Sequence, residues 1–271
     1  MTVRIEMSGP VWTVIHSRPE ARNAMDADSA KALYEAFLEF ENDDSASVAV
    51  FWGEGGAFCA GWDLKQASTF ADPEPLAELN LPTDGGTHGN GSDIPMAPMG
   101  PSRLELDKPV IGAIAGPAVA GGMELAMWCD IRVMEQSAYM GVYCRRWGIP
   151  FIDGGTVRLP RLVGQGRALD LILTGRQVTA EECVRIGLCE YVVGDGQARA
   201  KAEELAHRIA AFPQLCTRAD RRSVIAQHGL SLRDALVREW YNSRSVLETG
   251  GIEGAGRFAS GAGRHGDFGT P

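Results

Sequence analysis

Residues 113–130, AIAGPAVAGGMELAMWCD, constrain the chain more than any other stretch. The approach to them is apolar and β-branched at Val110, Ile111 and Ile114, which predicts a buried strand. Gly116-Pro117 ends that strand, and a loop of small residues runs through Gly121-Gly122 into an apolar helix expected over 123–129. A glycine pair at such a junction lets backbone N–H groups come close to a ligand. The first N–H groups of a helix also lack intrahelical partners, so the junction suits a developing negative charge. Glu124 follows on the first turn of a helix that is otherwise apolar. The fragment alone leaves two readings open: an acid that favours a helix N-terminus, or an acid with a chemical task.

Length and composition bound the rest. A chain of 271 residues suffices for one large α/β domain with a small C-terminal appendage. A formal charge of −9 argues against a nucleic-acid partner, which calls for a basic footprint. No apolar run approaches the roughly 18 residues that span a bilayer, so no membrane partner is expected. The opening MTVRIEMSGPVWTVIH lacks the apolar core of a signal peptide and the Arg/Ser bias of a transit peptide, so a cytoplasmic location is the default. Cys59, Cys129, Cys144, Cys183, Cys189 and Cys216 form no C-x-x-C pair, and most are expected to be small buried apolar residues. His16, His88, His207, His228 and His265 have no partner at metal-ligand spacing, so no metal site is expected.

Taken in order, residues 2–16 read as two strands around Ser8-Gly9-Pro10, with alternation in VWTVIH. A polar connector, SRPEARNAM, carries Arg18, Arg22 and Asn23. Asp26 is a plausible N-cap for a helix to about Asn42 with Leu33, Phe37 and Phe40 on one face. Residues 47–53 read as a buried strand, followed by a glycine-rich turn and a helix near Asp63. That turn has neither G-x-G-x-x-G nor a P-loop lysine, so it is no phosphate cradle of either kind. Residues 72–101 dissolve into Pro, Gly, Asp and Met and read as a mobile cover or a disordered excursion. Residues 137–155 should carry a short strand and a helix interrupted near Pro150, and residues 156–175 two short helices. Thr179 and Glu182 fit a capping box for a helix ending near Gly187. Residues 197–212 put Ala198, Ala202, Leu205, Ile209 and Phe212 on one stripe, and residues 231–247 do so with Leu232, Leu236, Trp240 and Leu247. The tail 250–271 is Gly-rich and loosely specified.

Four segments together resemble the crotonase (enoyl-CoA hydratase/isomerase) superfamily: SRPEARNAM, FCAGWDL, KPVIGAIAGPAVAGGMELAMWCD, and GGTVRLPRLVG followed by ALDLILTGRQVTAEECVRIGL. They occur in the family's order over about residues 11–192, with a weaker echo in EGAGRFASGAGRHGDF. The resemblance implies an α/β fold, a superhelix of repeated ββα units over residues 1–195 that binds acyl-CoA. A helical region over 196–271 would then assemble homotrimers or hexamers built as dimers of trimers. It implies that two backbone N–H groups, on Trp62 and Gly121, hold the thioester oxygen as an enolate forms, a stabilisation of a few kcal/mol. The Trp62 indole would then wall the pocket, or simply pack. The nucleotide part of coenzyme A is expected along Glu20, Ala21 and Arg22 and near Ala60 and Leu64, with Arg22 or Lys65 meeting a phosphate or merely solvated. Coenzyme A enters as part of the substrate, and no separate cofactor is expected.

The departures from the family pattern matter for the reaction. Hydratases resembling this chain hold a water between two glutamates; Glu124 matches the first, and Cys144 stands where the second belongs. A thiol is a poor relay for water protons, so Cys144 reads as packing unless Arg145 and Arg146 lower its pKa. Nine residues on, Asp153 occupies a place that is acidic in relatives resembling dienoyl-CoA isomerases and aryl-CoA dehalogenases. It reads either as a helix N-cap or as the partner of Glu124 in an acid–base pair. Three functions follow: an enoyl-CoA hydratase/isomerase-family enzyme using Glu124 and Asp153, an acyl-CoA hydrolase or dehalogenase using a carboxylate, or a non-catalytic acyl-CoA-binding protein. The dehalogenase version lacks a histidine near Gly116 to act as base.

Overall fold

The computed structural model describes residues 2–68, 79–81 and 95–263. β1 (Val3–Ser8) and β2 (Val11–His16) form the expected antiparallel hairpin, and Gly9 turns it with a φ of +57°. From β2 onward the large sheet is parallel, through β3 (Val48–Gly53), β4 (Val110–Ile114), β6 (Ile131–Glu135) and β9 (Tyr191–Val193). Its order is β1-β2-β3-β4-β6-β9. A second layer pairs β5 (Pro117–Val119), β7 (Tyr139–Gly141) and β8 (Gln177–Thr179). Isolated bridges Met25–Trp62 and Cys59–Ala118 continue the same pattern.

The chain therefore winds in turns. Each turn adds a strand to the large sheet, a short extended segment to the second layer, and then a helix. β2, Met25 and α1 (Ala27–Asn42) make one turn; β3, the Cys59–Trp62 segment and α2 (Leu64–Ala67) make the next; β4, β5 and α3 (Gly121–Trp128) make the third. This is the superhelix of ββα units that the resemblance implied. Asp26 caps α1 by accepting from the Ser29 N–H at 2.8 Å, and Leu33, Phe37 and Phe40 are fully buried on its inner face.

Several elements depart from the sequence-based expectation. The alternation in β2 does not mark a half-exposed strand, because all six of its residues are buried. A parallel strand inside this sheet has cover on both faces. Trp12 and Val14 pack with α1, while Val11 packs with Ala198, Ala202, Leu205 and Ala206 of α7 (Ala198–Ala210). The small-residue loop after β4 contains β5, with Pro117 opening it. In place of an interrupted helix near Pro150 there is a 3-10 helix, Tyr143–Trp147, closed by Gly148 at φ +70°. The two short helices after it are α4 (Gly155–Val163) and α5 (Gln165–Thr174). Thr179 caps α6 (Ala180–Ile186) through the Glu182 N–H, but the Glu182 carboxylate turns away to pair with Arg176 at 2.8 Å.

The C-terminal part is helical: α7, then α8 (Gln214–Ala226), α9 (Leu232–Val246) and α10 (Ile252–Ala259), the last two joined by a π-helical turn. The tail over 250–259 is thus more regular than its glycines suggest, while residues 264–271 lie outside the described residues. Phe212 and the stripe Leu232, Leu236, Trp240 and Leu247 are exposed rather than buried. The helix forms as the periodicity predicts, but nothing among the described residues covers this apolar stripe. Among those residues no helix is long and apolar enough to cross a membrane.

Candidate active site

The turn from β5 into α3 carries the site. Ala120 precedes α3 with φ +53° and ψ −127°, a conformation that costs a non-glycine residue free energy and is held by its N–H donating to the Gly141 carbonyl at 2.8 Å. Gly121 begins the helix, so its N–H has no intrahelical carbonyl to meet. A Cβ at Gly121 would overlap the Met99 side chain, and one at Gly122 would overlap the Cys59 carbonyl. Close packing against backbone thus requires Gly122, whereas Gly121 meets the far end of a flexible side chain. Gly61 approaches from the other side: a Cβ there would lie 3.2 Å from the Gly121 nitrogen. The segment bearing Trp62 and the start of α3 are therefore in contact.

Glu124, one turn into α3, is 3% exposed. Its Oε1 accepts from the N–H groups of Asp153 at 2.7 Å and Gly155 at 2.8 Å. Asp153, also 3% exposed, does not cap α4. Gly154 occupies the cap position, and the Asp153 carboxylate faces the other way, its Oδ1 accepting from the Ser102 hydroxyl at 2.6 Å and the Met99 N–H at 3.0 Å. The helix-cap reading of Asp153 is overturned by this geometry. Burial, followed by the charge of Asp153, pushes the Glu124 carboxyl up to about 8. Burial also raises Asp153, opposed by the Ser102 and Met99 hydrogen bonds and by Arg103 and Arg158. The raised Glu124 is the better-supported proton holder of the two near neutral pH, and Asp153 the better-supported anion.

Glu124, Asp153, Trp62, Gly121 and Cys144 all line one cavity of about 180 Å³. Its other walls are mostly apolar, with Met99, Val119, Tyr143, Trp147, Ile149 and Ile152 among them. Cys144 is buried, and burial raises its pKa despite Arg145. Arg146 instead lies over the Tyr143 ring at 3.9 Å, and Arg145 donates to the Ile172 carbonyl. The thiol is therefore not activated by its arginine neighbours. Pro98 and Met99, at the end of the stretch expected to form a cover, line the cavity; its residues 72–78 and 82–94 lie outside the described residues.

A second cavity of about 420 Å³ shares Trp62 and Leu64 with the first and is lined by Glu20, Ala21, Ala24, Asp63, Lys65 and Arg18. Ala60 lines the first cavity and not the second. Arg22 stands beside this groove in a left-handed conformation (φ +52°) and is not among its walls. The arginine that faces the groove is Arg18, compensated by Asp26 at 3.2 Å and Asp63 at 3.1 Å. Sequence reasoning also passed over Ser102 and Arg158, whose contacts converge on Asp153. Ser102 follows a breaker-rich stretch with no periodicity. Arg158 was visible only as a charge within GGTVRLPRLVG.

Comparison with known proteins agrees with this architecture. The family model described as enoyl-CoA hydratase/isomerase matches residues 6–80 and 102–257. Enoyl-CoA hydratase EchA19 of Mycobacterium tuberculosis is 38% identical over 227 residues, covering 81% of this chain and 79% of its own. Carnitinyl-CoA dehydratase of Salmonella typhi is 34% identical over 213 residues, covering 77% and 74%. The solved structure of an enoyl-CoA hydratase from Bacillus anthracis superposes with a TM-score of 0.83 at 28% identity, covering 96% of each chain. With the match spanning most of its length and the ββα superhelix in place, the chain belongs to the enoyl-CoA hydratase/isomerase family of the crotonase superfamily.

Proposed function

We propose that this enzyme moves a proton on an enoyl-CoA thioester, with Glu124 as general acid and Asp153 as general base. The observation that carries this reading is the pair of buried carboxylates on one cavity, held by different donors, an arrangement that favours the proton on Glu124 and the charge on Asp153. Asp153 removes a proton from the carbon next to the thioester or from its vinylogous position. The electron pair moves onto the thioester oxygen. The N–H groups of Trp62 and Gly121 receive that oxyanion, and Glu124 returns a proton at the other end of the allylic system, shifting the double bond. The acyl group is apolar, in keeping with the cavity walls. The coenzyme A moiety lies along the second cavity beside Glu20, Ala21, Arg22, Ala60 and Leu64, with Arg18 and Lys65 as its cationic edge.

Hydration is the second reading, favoured by the names of the relatives. Against efficient hydration stands Cys144, a buried and unactivated thiol on the same cavity where a second acid would hold water. The protein assembles as a homotrimer or a hexamer through the exposed apolar residues of α9 and α10. A cytoplasmic setting fits the five buried free thiols among the described residues. The test is turnover of a panel of enoyl-, dienoyl- and aryl-CoA thioesters with products identified by mass spectrometry. Double-bond isomers without gain of water support the proposal. A product heavier by one water as the main outcome supports hydration, and no turnover of any thioester supports a binding protein.

A further inference from the structure

Behind the two carboxylates lies a side chain that neither of them touches directly. Arg158, in the first turn of α4, sends Nη1 to the Asp153 carbonyl at 3.0 Å and Nη2 to the Ser102 carbonyl at 2.7 Å. Ser102 in turn donates its hydroxyl to the Asp153 carboxylate at 2.6 Å, and the Asp153 N–H donates to Glu124 at 2.7 Å. Asp153, Arg158 and Ser102 thus form a closed circuit of hydrogen bonds, to which Glu124 is attached through the Asp153 N–H. Gly154, at φ +92°, makes room for it, because a Cβ there would overlap the guanidinium. The planar fork of arginine suits this task, since it reaches two carbonyls from one rigid group.

We propose that Arg158 is a positioning residue for the acid–base pair, clamping the turn before α4 to the Ser102 segment and, by its buried charge, keeping one proton rather than two on Glu124 and Asp153. This rests on the reading of those residues as the reacting pair. The charge has no direct carboxylate contact among the described ion pairs, so it acts on both acids through space. The other charged or titratable groups acting on Glu124, Asp153 or Arg158 are Arg103 beside Ser102, Cys144 on the 3-10 helix, Cys59, Cys129 and Arg161. The thiols are uncharged at neutral pH, with Cys59 held up at about 12. Arg103 also donates to the Leu79 carbonyl, and Arg161 lies further along α4, so Arg158 is the cation bound to the backbone of the pair itself.

The experiment compares Arg158→Gln and Arg158→Lys with the unmodified enzyme by kcat, KM and the pH profile of kcat/KM, on whichever thioester is turned over. Arg158→Gln is expected to lower kcat roughly tenfold to a hundredfold with KM little changed. Loss of the cation should move both limbs of the profile to higher pH by roughly one unit. Arg158→Lys keeps the charge without the fork, so its limbs should stay in place while kcat recovers only in part. Unmoved limbs in a folded Arg158→Gln enzyme, or a loss confined to KM, would overturn the proposal. If Arg158→Gln does not fold, Ser102→Ala takes its place. It removes a donor to the Asp153 anion and should raise the acid limb, and an unmoved limb would contradict the circuit. Infrared titration of the carboxyl stretch, assigned with Glu124→Gln and Asp153→Asn, reads the same protons without substrate. If no thioester reacts, the proposed reaction fails, and the infrared shift in Arg158→Gln still decides the role of the arginine.

Discussion

At the scale of single residues, the proposed mechanism turns on the different surroundings of two similar acids. With Glu124 pushed up to about 8 by burial and acting as the general acid in the proposed mechanism, kcat/KM should fall above about pH 8. Asp153 must be ionised, and its pKa is raised, so the acid limb should lie above the ordinary aspartate range. A profile flat from pH 5 to 10 would contradict this pairing. His16 offers a stability test away from the site. It is fully buried at the end of β2, and among the described residues neither ring nitrogen has a hydrogen-bond partner. Burial, followed by the charge of Arg18, lowers it to about 4. Its folded pKa lies below its unfolded value, so the associated stability is present above about 6.5 and is lost as pH falls through 4. Urea titrations should show a loss on the order of 3 kcal/mol over that window, and His16→Leu should flatten it. An unchanged slope in the variant would count against it. Glu124 was legible from the sequence because an acid inside MELAMW has no structural company. Ser102 and Arg158 were not, since their importance comes from contacts 51–56 residues apart in the chain, which no local pattern encodes.

At the scale of elements, the glycines at the start of α3 decide how closely the layers approach. Gly122 packs against the Cys59 carbonyl, a backbone atom that cannot rotate away. Gly122→Ala should therefore destabilise the fold by about 1–3 kcal/mol, measured by denaturant unfolding, with activity falling as the oxyanion turn shifts. A variant as stable and active as the parent would show that the contact is softer than its geometry implies. Helices α1 and α6 and strands β1 to β4 were readable because caps, glycine turns and apolar runs are local signals. β5 was hidden inside a loop of small residues, since a three-residue strand that begins with proline gains its identity only from pairing with β7. The burial of β2 on both faces was likewise invisible, because α7, which covers one face, lies about 190 residues further along.

At the scale of the whole molecule, the apolar stripe that the sequence places on α9 lies on the surface. Periodicity reports that a face wants cover without saying who supplies it. Leu232, Leu236, Trp240 and Tyr241 on α9, and Phe258 on α10, leave a large apolar area that a lone subunit rarely tolerates. Light scattering should give a mass of three or six subunits, and Trp240→Glu with Leu236→Glu should lower it; a monomeric parent would refute the assembly. Assembly, however, is secondary to the claim that Glu124 and Asp153 act as one unit within this superhelix. The direct test is a double-mutant cycle on kcat with the best thioester from the panel. Glu124→Gln and Asp153→Asn should each lower turnover by about a hundredfold or more. The double variant should be little worse than either alone, because a pair sharing one proton fails as a unit. Full activity in Asp153→Asn, or a collapse in Cys144→Ala, would contradict the account and move the chemistry to the thiol.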